Sequence, residues 1–179
     1  MKGETNMIVN LEGLGRIKEE EVAKKIVLAT GTFDLFHYEH LKYLEGAKKQ
    51  GDILVVAIKD DKSASLKDKN RPIINENQRL SIIDSIRYVD YSLIAGYDEN
   101  FEDEIPYDNK KQQEWLNIFG KVFKILKPNI LYYENNPVLQ TARERIFLEY
   151  NINGVIKERG TITSTSEIIK KIIDNVTEA

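Results

Sequence analysis

Five short runs of β-branched and apolar residues, separated by longer segments of helical periodicity, constrain the fold of this chain more than any other feature. Each run is too short for an exposed helix and has the length of a buried strand. Strands that alternate with helices predict an α/β fold: a single Rossmann-like domain with a mostly parallel five-stranded sheet and helices on both faces. The five runs are residues 25–30, 53–58, 91–95, 130–133 and 154–157.

The segments between the runs carry helix signals. Residues 41–47 form an apolar stripe that ends near Gly51, where a glycine can adopt the left-handed conformation. Residues 75–88 form a second crossover helix, and its start has the spacing of a capping box. A final amphipathic helix is opened by Ser164, with Glu167 as its capping partner. Two more stripes lie at residues 115–126 and 138–146, and we interpret both as core packing.

A length of 179 residues is that of one compact domain, with residues 1–24 as an N-terminal lead-in and residues 25–179 as the domain itself. Residues 98–108 are acidic and aperiodic, so we interpret them as an exposed loop, with a lid over the site as the alternative. The apolar stripe at residues 115–126 is larger than one core needs, and together with the family resemblance described below it predicts a homodimer.

Composition excludes several functions. A formal net charge of −3, with both signs interspersed, gives no basic field for nucleic acid or a membrane surface. The absence of cysteine excludes disulfides, thiolate zinc sites and cysteine nucleophiles. No apolar run reaches membrane-spanning length and the N-terminus lacks the apolar core of a signal peptide, so a cytoplasmic protein is expected.

Both histidines of the chain, His37 and His40, follow the first strand at the point where the first helix must begin. The carboxyl ends of parallel strands form the ligand crevice, and a helix N-terminus there attracts anions. A spacing of three places the two imidazoles on one helix face, where both can donate to neighbouring phosphates. Two alternatives remain. In the first, one histidine only caps the helix. In the second, the pair binds a metal ion, but a metal site needs a third protein ligand and no residue lies at a spacing that suggests one.

Three stretches resemble the HxGH-type nucleotidyltransferases, the cytidylyltransferase-like family. GTFDLFHYEH at residues 31–40 is similar to the family's first motif, RPIINENQRLSIIDSIRYVD at residues 71–90 to its middle segment, and TSTSEI at residues 163–168 to its closing motif. Within the family, GTFD and IRYVD resemble glycerol-3-phosphate cytidylyltransferases. The lead-in and LKDKNRPI resemble the adenylyltransferase domain of bifunctional enzymes of ADP-heptose synthesis.

The resemblance implies transfer of a nucleoside monophosphate from CTP or ATP to a small phosphorylated acceptor, with release of pyrophosphate and with Mg²⁺ carried by the nucleotide. Phosphates and water would hold that Mg²⁺, to which Asp34 could contribute. The resemblance also implies three sets of site residues. The catalytic set is His37, His40, Lys67 and Arg159. The nucleotide-binding set is Thr30, Gly31, Thr32, Phe33, His37, His40, Lys69, Arg159, Ser164 and Thr165. The acceptor-binding set is Asp34, Lys42 and Arg79.

Two departures from the family pattern bear on activity. Glu39 stands where the motif has glycine and places a negative charge beside the expected phosphates, so its side chain either points outward or alters activity. Residues 132–135 (YYEN) replace a small, glycine-containing segment, which affects acceptor specificity. The alternatives are a catalytically silent nucleotide-binding protein of the same fold and, less favoured, a fragment of a class I aminoacyl-tRNA synthetase.

Overall fold

The computed structural model describes residues 7–66, 68–101, 108–157 and 164–177 of the chain. Within these residues one six-stranded sheet forms, in the order β1-β4-β3-β2-β5-β6, and every pairing is parallel. The strands are β1 (Met7–Ile8), β2 (Ile26–Gly31), β3 (Ile53–Lys59), β4 (Tyr91–Ala95), β5 (Ile130–Glu134) and β6 (Asn153–Lys157). The predicted α/β class is confirmed.

The strand count of five is the one error in the predicted sheet, and the missing strand is β1. It is only two residues long and pairs with β4 at the edge, so it leaves no alternation that a sequence pattern could reveal. The five predicted runs match β2 to β6 to within one residue at each end.

Helices cover both faces of the sheet, as predicted. They are α1 (Leu11–Glu20), α2 (Tyr38–Lys48), α3 (Asp61–Ser65), α4 (Glu76–Asp84), α5 (Lys110–Leu126), α6 (Gln140–Tyr150) and α7 (Thr165–Thr177), with a 3₁₀ turn at Pro137–Leu139. Side chains of α1, α5 and α6 form a core with one face, and those of α2 and α4 form a second core with the other. From the lead-in, Leu14 and Ile17 of α1 join the first core.

Two capping predictions are confirmed. The Asn75 side chain accepts from the Gln78 backbone N–H at 3.0 Å, so α4 begins there, although it ends at Asp84 rather than 88. At α7, the Ser164 N–H donates to the Glu167 carboxylate (2.5 Å) and the Glu167 N–H donates to the Ser164 hydroxyl (3.3 Å). This reciprocal pair fixes where α7 begins.

The expected left-handed glycine after α2 is wrong. Among the described residues no glycine has a positive φ, and α2 ends at Lys48 without one. Gly51 is needed for a different reason, because a Cβ there would lie 2.5 Å from the carbonyl oxygen of Lys25. The close approach brings the chain back to β3 beside β2.

The aromatic stripe of residues 115–126 is buried within the monomer. Trp115, Phe119 and Phe123 all belong to the core between α5 and the sheet. The stripe therefore supplies no surface for a partner, and the homodimer stays a prediction. Of the loop at 98–108, residues 102–107 lie outside the described residues. No helix in the described part of the chain is long and apolar enough to span a membrane.

Candidate active site

The turn between β2 and α2 is held in an unusual backbone conformation. Phe33 has a φ of 54° and Leu35 a φ of 46°, both in the left-handed region that non-glycine residues rarely adopt. Such residues cost about 1–3 kcal/mol each and persist only where the surroundings hold them. The bonds that hold this turn come from two distant segments of the chain.

Asp34, between the two left-handed residues, is the centre of that support. Its carboxylate is 2% exposed and accepts from Arg71 Nε at 2.9 Å and from the backbone N–H groups of Ile73 and Ile74 at 3.0 Å each. Arg79, also fully buried, donates from Nη1 to the Thr32 carbonyl oxygen at 2.6 Å. The segment after α3 and helix α4 thus fix the shape of the turn.

The N-terminus of α7 reaches the same turn from the other side. The Thr165 hydroxyl donates to the Asp34 carbonyl oxygen at 3.1 Å, and its oxygen lies 3.3 Å from His37 Nε2. Nε2 of His37 donates to this oxygen in the tautomer that carries its proton on Nε2, so the direction of the contact depends on the tautomer of the imidazole. Two helix N-termini, those of α2 and α7, therefore converge at His37.

The two histidines stack on each other at the start of α2. His37 is the N-cap residue but its side chain makes no capping hydrogen bond, so it is not simply a helix cap. The ring centroids of His37 and His40 are 3.9 Å apart with an interplanar angle of 24°. Among the described residues, neither Nδ1 atom has a hydrogen-bond partner. Both buried atoms have unused hydrogen-bonding capacity.

Burial makes both imidazoles neutral at ordinary pH. It lowers the pKa of His37, and it lowers the pKa of His40 to about 3, with further lowering of the latter by His37 and Lys157. Neutral imidazoles do not repel each other in a stack, and each still donates one N–H. The pair is suited to hydrogen bonding with phosphate oxygens without carrying a charge of its own.

These groups border a cleft of about 1050 Å³ at the carboxyl end of the sheet. It lies where the strand order reverses between β2 and β5, the position at which open α/β sheets bind ligands. Nine of the predicted site residues line it: Thr30, Gly31, Thr32, Phe33, Asp34, His37, His40, Ser164 and Thr165.

The remaining predicted site residues are placed elsewhere. Lys42 forms an ion pair with Glu45 (2.5 Å) and does not line the cleft. Arg79 lies beneath the cleft floor, where it also pairs with Asp61 at 2.7 Å. Lys69 is exposed and outside the lining. Lys67 and Arg159 lie outside the described residues.

Glu39, which replaces the motif glycine, does line the cleft, but its charge is matched. Its carboxylate is 3.2 Å from Lys157 Nζ on β6, and the two side chains are 13% and 12% exposed. Lys157 also lies 3.8 Å from Glu134. Sequence reasoning missed this pair because the partners are 118 positions apart and no local signal links them.

Two arginines of the cleft wall were also missed. Arg71 pairs with Asp34 and could have been suspected from its place in the RPIIN segment. Arg143 lies on α6 between apolar positions, where a helix pattern gives no reason to single it out. Its buried guanidinium lies over the Tyr133 ring, 4.2 Å from the centroid.

A parallel sheet with a cleft at its switch point and paired histidines beside it places the chain in the class of α/β proteins that bind a ligand at this position. The model of the family described as cytidylyltransferase-like matches residues 28–171. The chain belongs to this cytidylyltransferase-like family of nucleotidyltransferases, which confirms the family predicted from its three motifs.

Relatives named bifunctional protein HldE match much of the chain. The protein from Aliarcobacter butzleri is 33% identical over 164 residues, covering 88% of this chain and 29% of the relative. That from Geobacter metallireducens is 45% identical over 94 residues, covering 51% of this chain and 19% of the relative. The chain thus spans less than a third of the length of these relatives.

Solved structures share the fold. A lipopolysaccharide core biosynthesis protein from Thermoplasma volcanium superposes with a TM-score of 0.56 at 24% identity, covering 78% of this chain and 99% of that one. A pantoate-beta-alanine ligase from Francisella tularensis gives a TM-score of 0.61 at 18% identity, covering 89% and 69%. Identities this low establish the common architecture alone.

Proposed function

We propose that this nucleotidyltransferase transfers a nucleoside monophosphate from ATP or CTP to a small sugar or polyol phosphate and releases pyrophosphate. The observation that carries the proposal is the stacked pair of imidazoles at the N-terminus of α2, in contact with the N-terminus of α7. Two helix N-termini meet there beside two Nδ1 atoms that have no partner in the described part of the chain, and an anionic ligand suits that arrangement.

The reaction follows from in-line displacement at phosphorus. An acceptor phosphate oxygen forms a bond to the α-phosphorus, the bond from that phosphorus to the bridging oxygen breaks, and pyrophosphate leaves with the electron pair. Charge builds on the oxygens of the transferred group and on the leaving group. N–H donors from His37 and His40 and the two helix N-termini are placed to stabilise that charge.

The turn residues have supporting roles in this proposal. Thr30, Gly31, Thr32 and Phe33 form the wall against which the nucleotide binds, and Ser164 and Thr165 complete it from α7. Asp34 and Arg79 act as positioning residues, because their polar atoms are committed to the turn. The predicted cations Lys67 and Arg159 would add charge to the triphosphate oxygens.

Mg²⁺ would enter with the triphosphate. Among the described residues no group of three or more histidines and carboxylates is placed to hold a metal ion, and the Asp34 oxygens already accept three protein hydrogen bonds. Phosphate oxygens and water are the ligands that Mg²⁺ prefers, and the ion would supply charge neutralisation there.

ATP and sugar phosphates are the substrates to test first. The named relatives are bifunctional proteins, and the part that matches this chain is under a third of their length. This fits the sequence resemblance to the adenylyltransferase domain of bifunctional enzymes of ADP-heptose synthesis. Lys157 offsets the charge of Glu39, the residue that motivated the catalytically silent alternative, and this supports the catalytic proposal.

Pyrophosphate release tests the proposal. The protein is incubated with ATP or CTP, Mg²⁺ and a panel of sugar and polyol phosphates, and the double variant His37→Ala/His40→Ala is the control. We expect release that depends on both one nucleotide and one acceptor class and that the double variant lacks. Nucleotide binding by calorimetry without release across the panel would instead establish a silent binding protein.

A further inference from the structure

Arg143 is a buried cation in the wall of the cleft. It extends from α6, is 6% exposed, and its guanidinium lies 4.2 Å from the centroid of the Tyr133 ring and 5.9 Å from that of Trp115. Its Nη1 donates to the carbonyl oxygens of Glu134 (3.3 Å) and Asn136 (3.5 Å), both long contacts. Its Nε has no partner among the described residues. The guanidinium is short of hydrogen-bond acceptors.

The charge of Arg143 is also unmatched. No carboxylate of the described residues lies within 4.0 Å of its guanidinium, whereas Arg71 pairs with Asp34 and Lys157 pairs with Glu39. Burial lowers the pKa of Arg143, yet a guanidinium stays protonated in proteins. A buried charge without a counter-ion is costly, so an anion that enters the cleft would be favoured at this position.

The position of Arg143 separates it from the expected triphosphate site. The histidines stand at the start of α2, which follows β2, whereas Arg143 belongs to α6, which follows β5 on the other side of the switch point. A transfer reaction needs two phosphate groups side by side in one cleft. The histidines and the helix N-termini suit the phosphates of the nucleotide, and among the described residues Arg143 is the remaining buried cation suited to the phosphate of the acceptor.

We propose that Arg143 binds the phosphate group of the acceptor and selects for acceptors that carry a phosphate monoester. The proposal rests on the proposed transferase function. Arginine suits the role because its planar fork can contact two phosphate oxygens at once. The aromatic rings of Tyr133 and Trp115 hold the guanidinium in place before the acceptor arrives.

The competing role is structural: Arg143 braces the backbone after β5 through the carbonyl groups of Glu134 and Asn136. Arg143→Met separates the two roles, because methionine retains much of the apolar packing and removes the charge. Arg145→Met is the matched control. Arg145 is on the same helix and pairs with Asp108 at 3.0 Å, and it does not line the cleft.

The probe is inorganic phosphate, titrated calorimetrically into protein saturated with a non-hydrolysable α,β-methylene analogue of ATP. For Arg143→Met we expect phosphate affinity to fall at least tenfold, the scale of one charge-assisted pair. Affinity for the analogue should change less than twofold, and Arg145→Met should match the unmodified protein in both. Equal loss of both ligands, or unchanged phosphate affinity, would overturn the proposal.

A second measurement follows phosphate binding in the unmodified protein and uses a variant only to assign one resonance. In the unmodified protein the arginine side-chain N–H resonance of Arg143, assigned by its loss in Arg143→Lys, should shift as phosphate is added. An unmoved resonance would contradict the proposal. Because neither measurement requires turnover, phosphate binding at Arg143 without pyrophosphate release would refute the transferase function alone.

Discussion

The two sides of the cleft are built in opposite ways. On one side, the turn from Gly31 to the start of α2 is fixed by hydrogen bonds from Arg71, Arg79 and Thr165. On the other side, the buried Arg143 makes only two long contacts to the backbone of residues 134 and 136, and the Gln112 amide donates to the Val138 carbonyl oxygen at 3.0 Å. The first side has its charges paired within the protein, and the second has a buried cation that no described carboxylate pairs with.

In the proposed transfer reaction, the two sides of the cleft would have different roles. Groups that stabilise a transition state must be held in place before substrate binds, and the strained turn with its stacked histidines meets that need. A side that selects the acceptor can leave its charge to be matched by the ligand. The sequence departure at residues 132–135 falls on this second side, as expected if acceptor choice varies there.

Removing either histidine should have the largest effect. His37→Ala and His40→Ala should each lower turnover about 10²–10³-fold, the scale for losing one positioned donor to a developing charge. Asn135→Ala, a change on the other side of the cleft, should alter turnover less than about tenfold. Steady-state pyrophosphate release measures both, with circular dichroism to verify folding. Near-normal turnover in both folded histidine variants would remove the turn from the mechanism.

Asp34→Ala should destabilise the protein by about 3 kcal/mol, because it leaves Arg71 and two backbone N–H groups without their acceptor. Glu134→Ala should cost less than about 0.5 kcal/mol, because the Glu134 side chain is half exposed. Urea unfolding midpoints compare the two variants. Equal losses would mean that the two sides are supported alike.

Lowering the pH should reduce the stability of the folded protein, because His40 is buried in the turn side of the cleft. In the unfolded chain the His40 imidazole binds a proton below about pH 6.5, whereas in the folded protein its pKa is about 3. Between these two values the unfolded state therefore binds more protons than the folded state. Stability is therefore full above about pH 6.5 and falls by about 1.4 kcal/mol per pH unit below it. The free energy of unfolding should be about 2 kcal/mol lower at about pH 5 than at about pH 7, and His40→Gln should abolish most of that difference. The same decline in His40→Gln would contradict the burial of His40.

Sequence reasoning found the turn side, but on the second side it singled out residues 132–135 and missed Arg143, for a physical reason. Residues 31–40 combine a strand end, a helix start and both histidines, so local chemistry and position in the fold coincide there. Arg143 depends on the faces of Tyr133 and Trp115, and those contacts exist only after β5, α5 and α6 pack together. Arg79 pairs with Asp61, 18 positions away, and no local pattern links these two residues. Lys42 pairs with Glu45 three positions on in the same helix, a spacing at which helical ion pairs are common.

Glu39 tests whether charge pairing is what distinguishes the turn side. Glu39→Gly removes the nearer carboxylate partner of Lys157 and leaves, among the described carboxylates, the more distant Glu134 at 3.8 Å. The local charge becomes more positive, so nucleotide affinity should rise about threefold to tenfold, which corresponds to about 1 kcal/mol across partly screened distances. The start of α2 should lose about 1 kcal/mol, because glycine lowers helix propensity and a favourable charge near the dipole is lost.

Glu39→Gln separates charge from space in that experiment. Glutamine keeps the size of the side chain and loses its charge, so an electrostatic effect should appear in both variants, whereas an effect of room for the nucleotide should appear with glycine alone. Adding Lys157→Met to Glu39→Gly should return affinity towards the starting value, because the uncovered cation is then gone. Calorimetric titration with ATP and with CTP, beside thermal melts, measures all four proteins. Weaker nucleotide binding by Glu39→Gln would contradict this explanation. It would mean that the Glu39 carboxylate aids binding by positioning Lys157, and does not reduce binding by offsetting the charge of Lys157.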